Sequence, residues 1–269
     1  MDTGPKVGLV LSGGSVRGAA HLGVLEVLEK EGIRPHCIVG VSAGAMVGAV
    51  YCAGLPLEEI RRLALELRWI RLGRLVRPRL GFFDSGKLES RLIEVIGPHT
   101  FDQLLIPLAV IAADLMREEV IVLREGPVAH AVRASCALPG VFTPVEWEGR
   151  LLVDGGLLNN LPVSVAREMG AQYVIAVDLL PLTQLERPPR NLFEMWYLVF
   201  YTLLRTSHRE GEQADCLITP QIGRFDWVDF SQVPDLIQRG REAAEVHIAQ
   251  ISADLRQPKI AWIETPGQQ

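Results

Sequence analysis

Along most of this chain, short apolar runs alternate with segments whose apolar residues recur every three or four positions. "KVGLVLSGG" predicts a buried strand entering a glycine turn. "GAAHLGVLEVLEKEG" predicts a helix, with Leu22, Val24, Leu25 and Leu28 at helical spacing and Gly32 as its stop. "CIVGVS" predicts a second strand and "AGAMVGAVYCAG" a second helix, built from small residues. "PLAVIAADL" (107–115) and "EVIVLREG" (119–126) predict buried strands, and "PVAHAVRASCALPG" a helix running to Pro139. "RLLVDGG" reads as a strand ending in a turn, and "LPVSVAREMG" as a helix with Pro162 in its first turn and Gly170 at its end. "YVIAVDLL" and "ADCLITP" predict two further strands. Strand runs that are apolar on both faces and alternate with helices imply an α/β layer with a mainly parallel sheet.

Two segments break this rhythm, and neither brings a domain boundary, so one α/β domain over residues 1–269 is expected. Residues 55–106 read as a helix-rich insertion or cap, with seven arginines between positions 61 and 79 among leucines, Trp69 and Ile70. That stretch suits either an interfacial helix drawn to anionic lipid or a solvated helix packed on the core. Residues 181–211 begin as a loop and continue into "LFEMWYLVFYTLL" (192–204), a helix fit to wall an acyl-chain pocket, to pack in the core or to form a dimer contact. "GFFDSG" (81–86) reads as a lid tip or a plain turn.

Composition narrows the classes. The chain has 269 residues, 48% hydrophobic, with a formal net charge of −5, which offers no global field for nucleic acid. Cys37, Cys52, Cys136 and Cys216 lie far apart, without a Cys-x-x-Cys pair or a Cys/His cluster. Neither a zinc site nor a disulfide framework is expected, and reduced thiols in the cytoplasm are the simpler expectation. The first apolar run is too short for a signal-peptide core. The 192–204 stretch contains Glu194 and falls short of the ~20 residues a membrane-spanning helix needs. A peripheral membrane contact stays open, as does the oligomeric state.

The candidate chemistry sits at two turns. In "IVGVSAGAMVGAV" (38–50), Ser42 occupies the centre of G-V-S-A-G between a strand and a helix. Such an elbow lifts a serine hydroxyl clear of the sheet and aims it near a helix N-terminus. Equally, Ser42 is a small residue that caps the helix. In "LLVDGGLLNNLP", Asp154 ends an apolar strand before two glycines, either as a carboxylate at the functional rim of the sheet or as an ordinary Asp-Gly turn residue. "SGGSVRG" (12–18) can converge backbone N–H groups on an anion, but it is neither G-x-G-x-x-G nor a Walker A loop. Arg17 either orders that turn, binds an anionic head group or forms a surface ion pair. A Ser–Asp–His order would need His208 or His247, both in charged helical sequence rather than in a turn after a strand.

Three blocks, "LSGGSVRGAAHLGVLEVLEKEGI", "IVGVSAGAMVGAVYCAG" and "VRASCALPGVFTPVEWEGRLLVDGGLLNNLPVSVAREMGA", in this order resemble the patatin-like phospholipase family. The subgroup most alike is the small bacterial patatin-like proteins, similar also to the esterase domain of neuropathy target esterase. The resemblance covers roughly residues 6–180. It implies a patatin-like three-layer α/β fold, with a mainly parallel central sheet flanked by helices. It implies a serine lipid acyl hydrolase with a Ser–Asp dyad and no histidine, metal or other cofactor. The substrate would be a phospholipid, lysophospholipid or other fatty acyl ester. Carried over by position, Ser42 is the nucleophile, Asp154 the base, and the turn of Gly13, Gly14 and Ser15 the oxyanion hole. The family pattern is Gly-Gly-Gly-x-Arg/Lys-Gly, and here Ser15 replaces the third glycine. If that position takes a positive φ, Ser15 is strained by about 1 kcal/mol or more and can misalign a donor. A catalytically weak lipid- or protein-binding module on the same fold is the alternative this departure raises.

Overall fold

The computed structural model describes residues 4–67, 73–77, 79–180, 188–207, 210–223 and 229–256. Its strands are β1 (Val7–Leu11), β2 (Cys37–Val41), β3 (Arg74–Leu75), β4 (Gly81–Asp84), β5 (Leu108–Asp114) and β6 (Glu119–Leu123). They continue with β7 (Gly140–Phe142), β8 (Val145–Trp147), β9 (Arg150–Asp154), β10 (Tyr173–Val177) and β11 (Cys216–Ile218). The helices are α1 (Ala19–Lys30), α2 (Ala43–Cys52), α3 (Leu57–Glu66), α4 (Gly86–Ile96), α5 (Val128–Ser135), α6 (Val163–Glu168), α7 (Leu192–Thr206) and α8 (Val233–Arg256).

The main sheet runs β11-β10-β1-β2-β5-β9-β8, with β6 also on β5. From β11 to β5 every pairing is parallel, and β6, β9 and β8 join antiparallel. Alternation along the strands divides the core into two faces. Leu9, Leu11, Ile38, Val110 and Ile175 point to the side covered by α1, α2, α5 and α8. Val10, Val39, Val41, Ile111 and Val174 point to the side covered by α6. Helices on both faces of a mostly parallel sheet are the α/β arrangement that the apolar runs predict. α1 and α8 approach so closely that a Cβ on Gly23 would overlap the Ile237 carbonyl and one on Gly240 the Ala20 carbonyl.

Three local expectations change. "GFFDSG" is neither lid tip nor plain turn: its first four residues are β4, held between β3 and β7 in a separate three-stranded sheet. The arginine-rich segment is not one interfacial helix. α3 stops at Glu66, and its arginines are paired, Arg61 with Glu26 and Arg62 with Glu59 and Glu66. Trp69 and Ile70 lie outside the described residues. β6, read as buried, is an edge strand exposed over Glu119 and Val120. No helix among the described residues is long and apolar enough to cross a membrane.

β5 brings two distant strand ends together. Its residues 108–111 pair with β2 on one edge, while 110–114 pair with β6 on the other. β9 pairs with 112–114, which places it on the edge that β2 vacates after Val41. β2 and β9 therefore meet end to end, both C-termini at the same spot. Val41 is opposite Ile111, and Asp154 is opposite Ala112.

Candidate active site

Ser42 follows β2 directly and has φ 51° and ψ −119°, a conformation an L-residue adopts only under strain. Its carbonyl accepts the N–H of Met46 at 3.1 Å and so opens α2, but its hydroxyl makes no capping bond to the helix. That removes the capping role and leaves the hydroxyl turned toward the site. Both glycines of G-V-S-A-G are there for space. A Cβ on Gly40 would overlap the backbone of Ala45, and one on Gly44 would overlap the Leu11 carbonyl. The elbow is secured from beneath by Ser135: the Ser42 N–H donates to Ser135 Oγ at 2.7 Å, and Ser135 Oγ donates to the Ile111 carbonyl at 2.5 Å.

Asp154 is 4% exposed. Its Oδ1 accepts the Gly156 N–H at 2.9 Å, so the turn role expected of an Asp-Gly pair is fulfilled. The same carboxyl interacts with the Ser42 hydroxyl. Burial pushes its pKa up to about 6, against the opposing pull of the Ser42 hydroxyl and the Gly156 amide. A carboxylate with that proton affinity is a better base than an exposed aspartate. The Cys136 thiol sits beside both groups. Burial and the Asp154 charge push its pKa up, outweighing the opposing influence of the Ser42 hydroxyl, and it remains a thiol.

The glycine turn leaves β1 at the neighbouring strand end. Ser12 ties it to the end of β10, its N–H donating to the Val177 carbonyl at 3.2 Å and its Oγ accepting the Leu179 N–H at 3.0 Å. The Ser12 carbonyl faces His21 Nε2 at 2.8 Å. His21 is fully buried and its pKa is lowered to about 4 by that burial, against the Ser12 carbonyl and Asp178. It is therefore neutral near pH 7, and its Nε2–H donates a hydrogen bond to the Ser12 carbonyl. The Gly13 N–H donates to Asn160 Oδ1 at 2.9 Å, so that amide is already engaged. Ser15 has φ 55°, the left-handed conformation for which glycine is the unstrained choice.

Arg17 is 5% exposed. Its Nη1 donates to the Tyr201 hydroxyl at 3.4 Å, and its guanidinium lies 5.5 Å from the Tyr201 ring centroid. Arg17, Ser42, Asp154 and the 13–15 turn all line one cavity of about 220 Å³. Its remaining walls are mainly apolar: Met46 and Val50 of α2, Leu63 of α3, Leu92 of α4, and Phe200 and Leu204 of α7. Thus the aromatic helix does wall a pocket, and the 55–106 segment supplies its opposite side.

Of the histidines a triad would need, His247 lies on α8 and does not line the cavity, and His208 falls outside the described residues. Among the described residues no group of three or more His, Cys, Asp or Glu is placed to hold a metal. Sequence reasoning missed Ser135, Asn160, Ser12 and His21 as supports of the site. The signal available was a polar residue within apolar sequence, as in "LLNNLP" and "AVRASCAL", since buried polar groups need partners.

The structure thus sets a strained serine at a strand–helix elbow close to a buried carboxylate, on an α/β sheet. The chain belongs to the patatin-like phospholipase family, whose model matches residues 9–167. An NTE family protein of Mycobacterium tuberculosis is 38% identical over 181 residues, covering 66% of this chain and 50% of that protein. Neuropathy target esterase sws of Drosophila melanogaster is 32% identical over 185 residues, covering 66% of this chain and 13% of that protein. The chain thus spans half the length of the mycobacterial relative and a small part of the insect one. In fold it is similar to VipD from Legionella pneumophila, with a TM-score of 0.55 and 15% identity over 93% of this chain and 67% of VipD.

Proposed function

We propose that this protein is a serine hydrolase of lipid acyl esters, acting through a dyad of Ser42 and Asp154. The observation that carries the proposal is the meeting of β2 and β9 on one edge of β5, which sets the Ser42 hydroxyl beside the Asp154 carboxyl at an apolar cavity. Phospholipids, lysophospholipids and related fatty acyl esters suit such walls.

In the first half-reaction Ser42 Oγ attacks the ester carbonyl carbon while Asp154 takes the hydroxyl proton. The carbonyl oxygen becomes an oxyanion facing the 13–15 turn. The Gly13 amide is already held by Asn160, and backbone N–H donation from this turn would stabilise that charge. Collapse breaks the ester C–O bond, Asp154 returns the proton to the leaving alcohol, and an acyl group remains on Ser42. In the second half Asp154 deprotonates water, which attacks the acyl carbon; the fatty acid leaves and Ser42 regains its proton. Arg17 would meet an anionic head group or order the turn; its contact with Tyr201 and its position in the cavity lining support that reading.

A panel of phospholipids and lysophospholipids, with released fatty acids identified by mass spectrometry, tests this. Release by the wild type and none by Ser42→Ala is expected, with His247→Ala retaining activity. A folded wild-type protein that binds lipid but releases no fatty acid would instead favour a binding module, the outcome that the positive φ of Ser15 makes worth testing.

A further inference from the structure

The β3–β4 hairpin carries a combination found nowhere else among the described residues. Leu75, Leu80 and Phe82 are 71%, 58% and 54% exposed, and Phe83 is also exposed. Leu75 pairs with Phe83, so Phe82, one residue away, projects from the opposite face of the ladder. Large apolar side chains thus stand in solvent on both faces. Arg74, Arg77 and Arg79 lie among them, exposed, and unlike Arg61 and Arg62 they join no ion pair among the described residues. In a protein of net charge −5, this is a local cationic tip.

A second apolar surface lies beside β7, the strand next to β4. The outward face of α7 carries Leu192, Met195, Val199 and Leu203, all exposed, with Thr202 and Thr206 and no charged side chain. β7 links the two surfaces. Its Phe142 pairs with Phe83 of β4, ring centroids 6.3 Å apart, and its Gly140 lies against the indole of Trp196 on α7. Phe142 also lines the cavity that contains Ser42, as do Phe200 and Leu204 on the inner face of α7.

We infer that the β3–β4 hairpin and the outer stripe of α7 form a docking rim that seats the protein on an anionic phospholipid bilayer, beside the cavity that receives the acyl chain. The inference rests on the reading of that cavity as a lipid acyl site. Unpaired arginines meet the anionic head groups, and the leucines and phenylalanines enter the interfacial layer. A lipid then passes from the bilayer into an apolar cavity without crossing water. A second copy of this chain could cover the apolar stripe of α7, but three unpaired arginines on the neighbouring hairpin fit a negative surface better than a self-contact.

Flotation of the full chain with vesicles tests the inference apart from catalysis, using Ser42→Ala so that the bilayer stays intact. Binding to phosphatidylglycerol-containing vesicles is expected, with little to pure phosphatidylcholine. Arg74→Gln with Arg77→Gln should weaken binding roughly tenfold or more, since each charge near an anionic surface contributes about 1 kcal/mol. Leu75→Ser with Phe82→Ser, and separately Val199→Glu, should weaken it comparably. In the Ser42-containing protein these variants should hydrolyse a soluble short-chain ester at the wild-type rate. Failure of the parent to bind anionic vesicles, equal binding by all variants, or a dimer in light scattering that these substitutions dissociate would overturn the proposal. Retained vesicle binding without hydrolysis of any ester would instead sink the catalytic reading and leave the docking rim standing.

Discussion

Ser42 directly follows, and Asp154 ends, two strands that share one edge of β5, β2 ending opposite Ile111 and β9 opposite Ala112. Their proximity is set by backbone register in the middle of the sheet rather than by flexible loops. Such a site is fixed before any ligand arrives, and its cost shows in two places: a buried carboxylate with raised proton affinity and a serine with positive φ.

The buried carboxylate predicts a trade between stability and activity. The folded pKa of Asp154 is about 6, above its ordinary 3.8, so the folded state holds the proton more tightly than the unfolded chain. Stability then falls as pH rises from about 4 to about 6, and above that the charged group costs of order 3 kcal/mol. Asp154→Asn keeps an oxygen for the Gly156 amide and removes the charge. It should abolish ester turnover and raise the melting temperature at pH 8, with the gain vanishing below pH 4. Calorimetry at the two pH values checks this.

The same pKa fixes the acid limb of the rate profile. In the proposed mechanism Asp154 is the base and must be deprotonated, so kcat/KM on a soluble ester should rise with pH through a midpoint of about 6 and then level off. His21, neutral at these pH values and outside the proton path, adds no limb there.

Ser135 and Asn160 hold the backbone around Ser42 and the 13–15 turn. Ser135→Ala leaves the part-buried Ser42 N–H without its partner and takes one donor from the Ile111 carbonyl, and should destabilise the fold by about 1–3 kcal/mol. Asn160→Ala releases the Gly13 amide and loosens the turn. Both should lower kcat more than they raise KM, and neither should shift the acid midpoint, as steady-state profiles of the two variants would show.

Ser15 is the one position where the sequence departs from the family glycine pattern, and its φ of 55° is the conformation in which that departure matters. Ser15→Gly removes strain of about 1 kcal/mol, partly offset by the greater freedom of the unfolded chain. Stability should change by less than about 1 kcal/mol while kcat stays level or rises. A clear fall in kcat would mean that the serine hydroxyl contributes to the site.

The strand–helix rhythm, the elbow at Ser42 and the strand end at Asp154 were legible because each is a local pattern of apolar runs and glycines. Non-local pairing was not. "RLLVD" reads the same in a parallel or an antiparallel partner, so nothing in it told that β9 would abut β2. β4 was hidden because it is only four residues long, its near partner β3 only two, and its other partner β7 is distant in sequence. The ion pair of Arg61 was not legible because its partner, Glu26, lies on another helix. The hold of Asn160 on Gly13 spans 147 positions, and its trace in the sequence is a polar residue between leucines.

The central claim is that Ser42 forms a covalent acyl-type adduct, and trapping that adduct tests it most directly. After incubation with a fluorophosphonate, peptide mass spectrometry should find one phosphonylated residue, Ser42, with no adduct in Ser42→Ala. Folded wild-type protein left unlabelled, or labelled at another residue, would contradict the account.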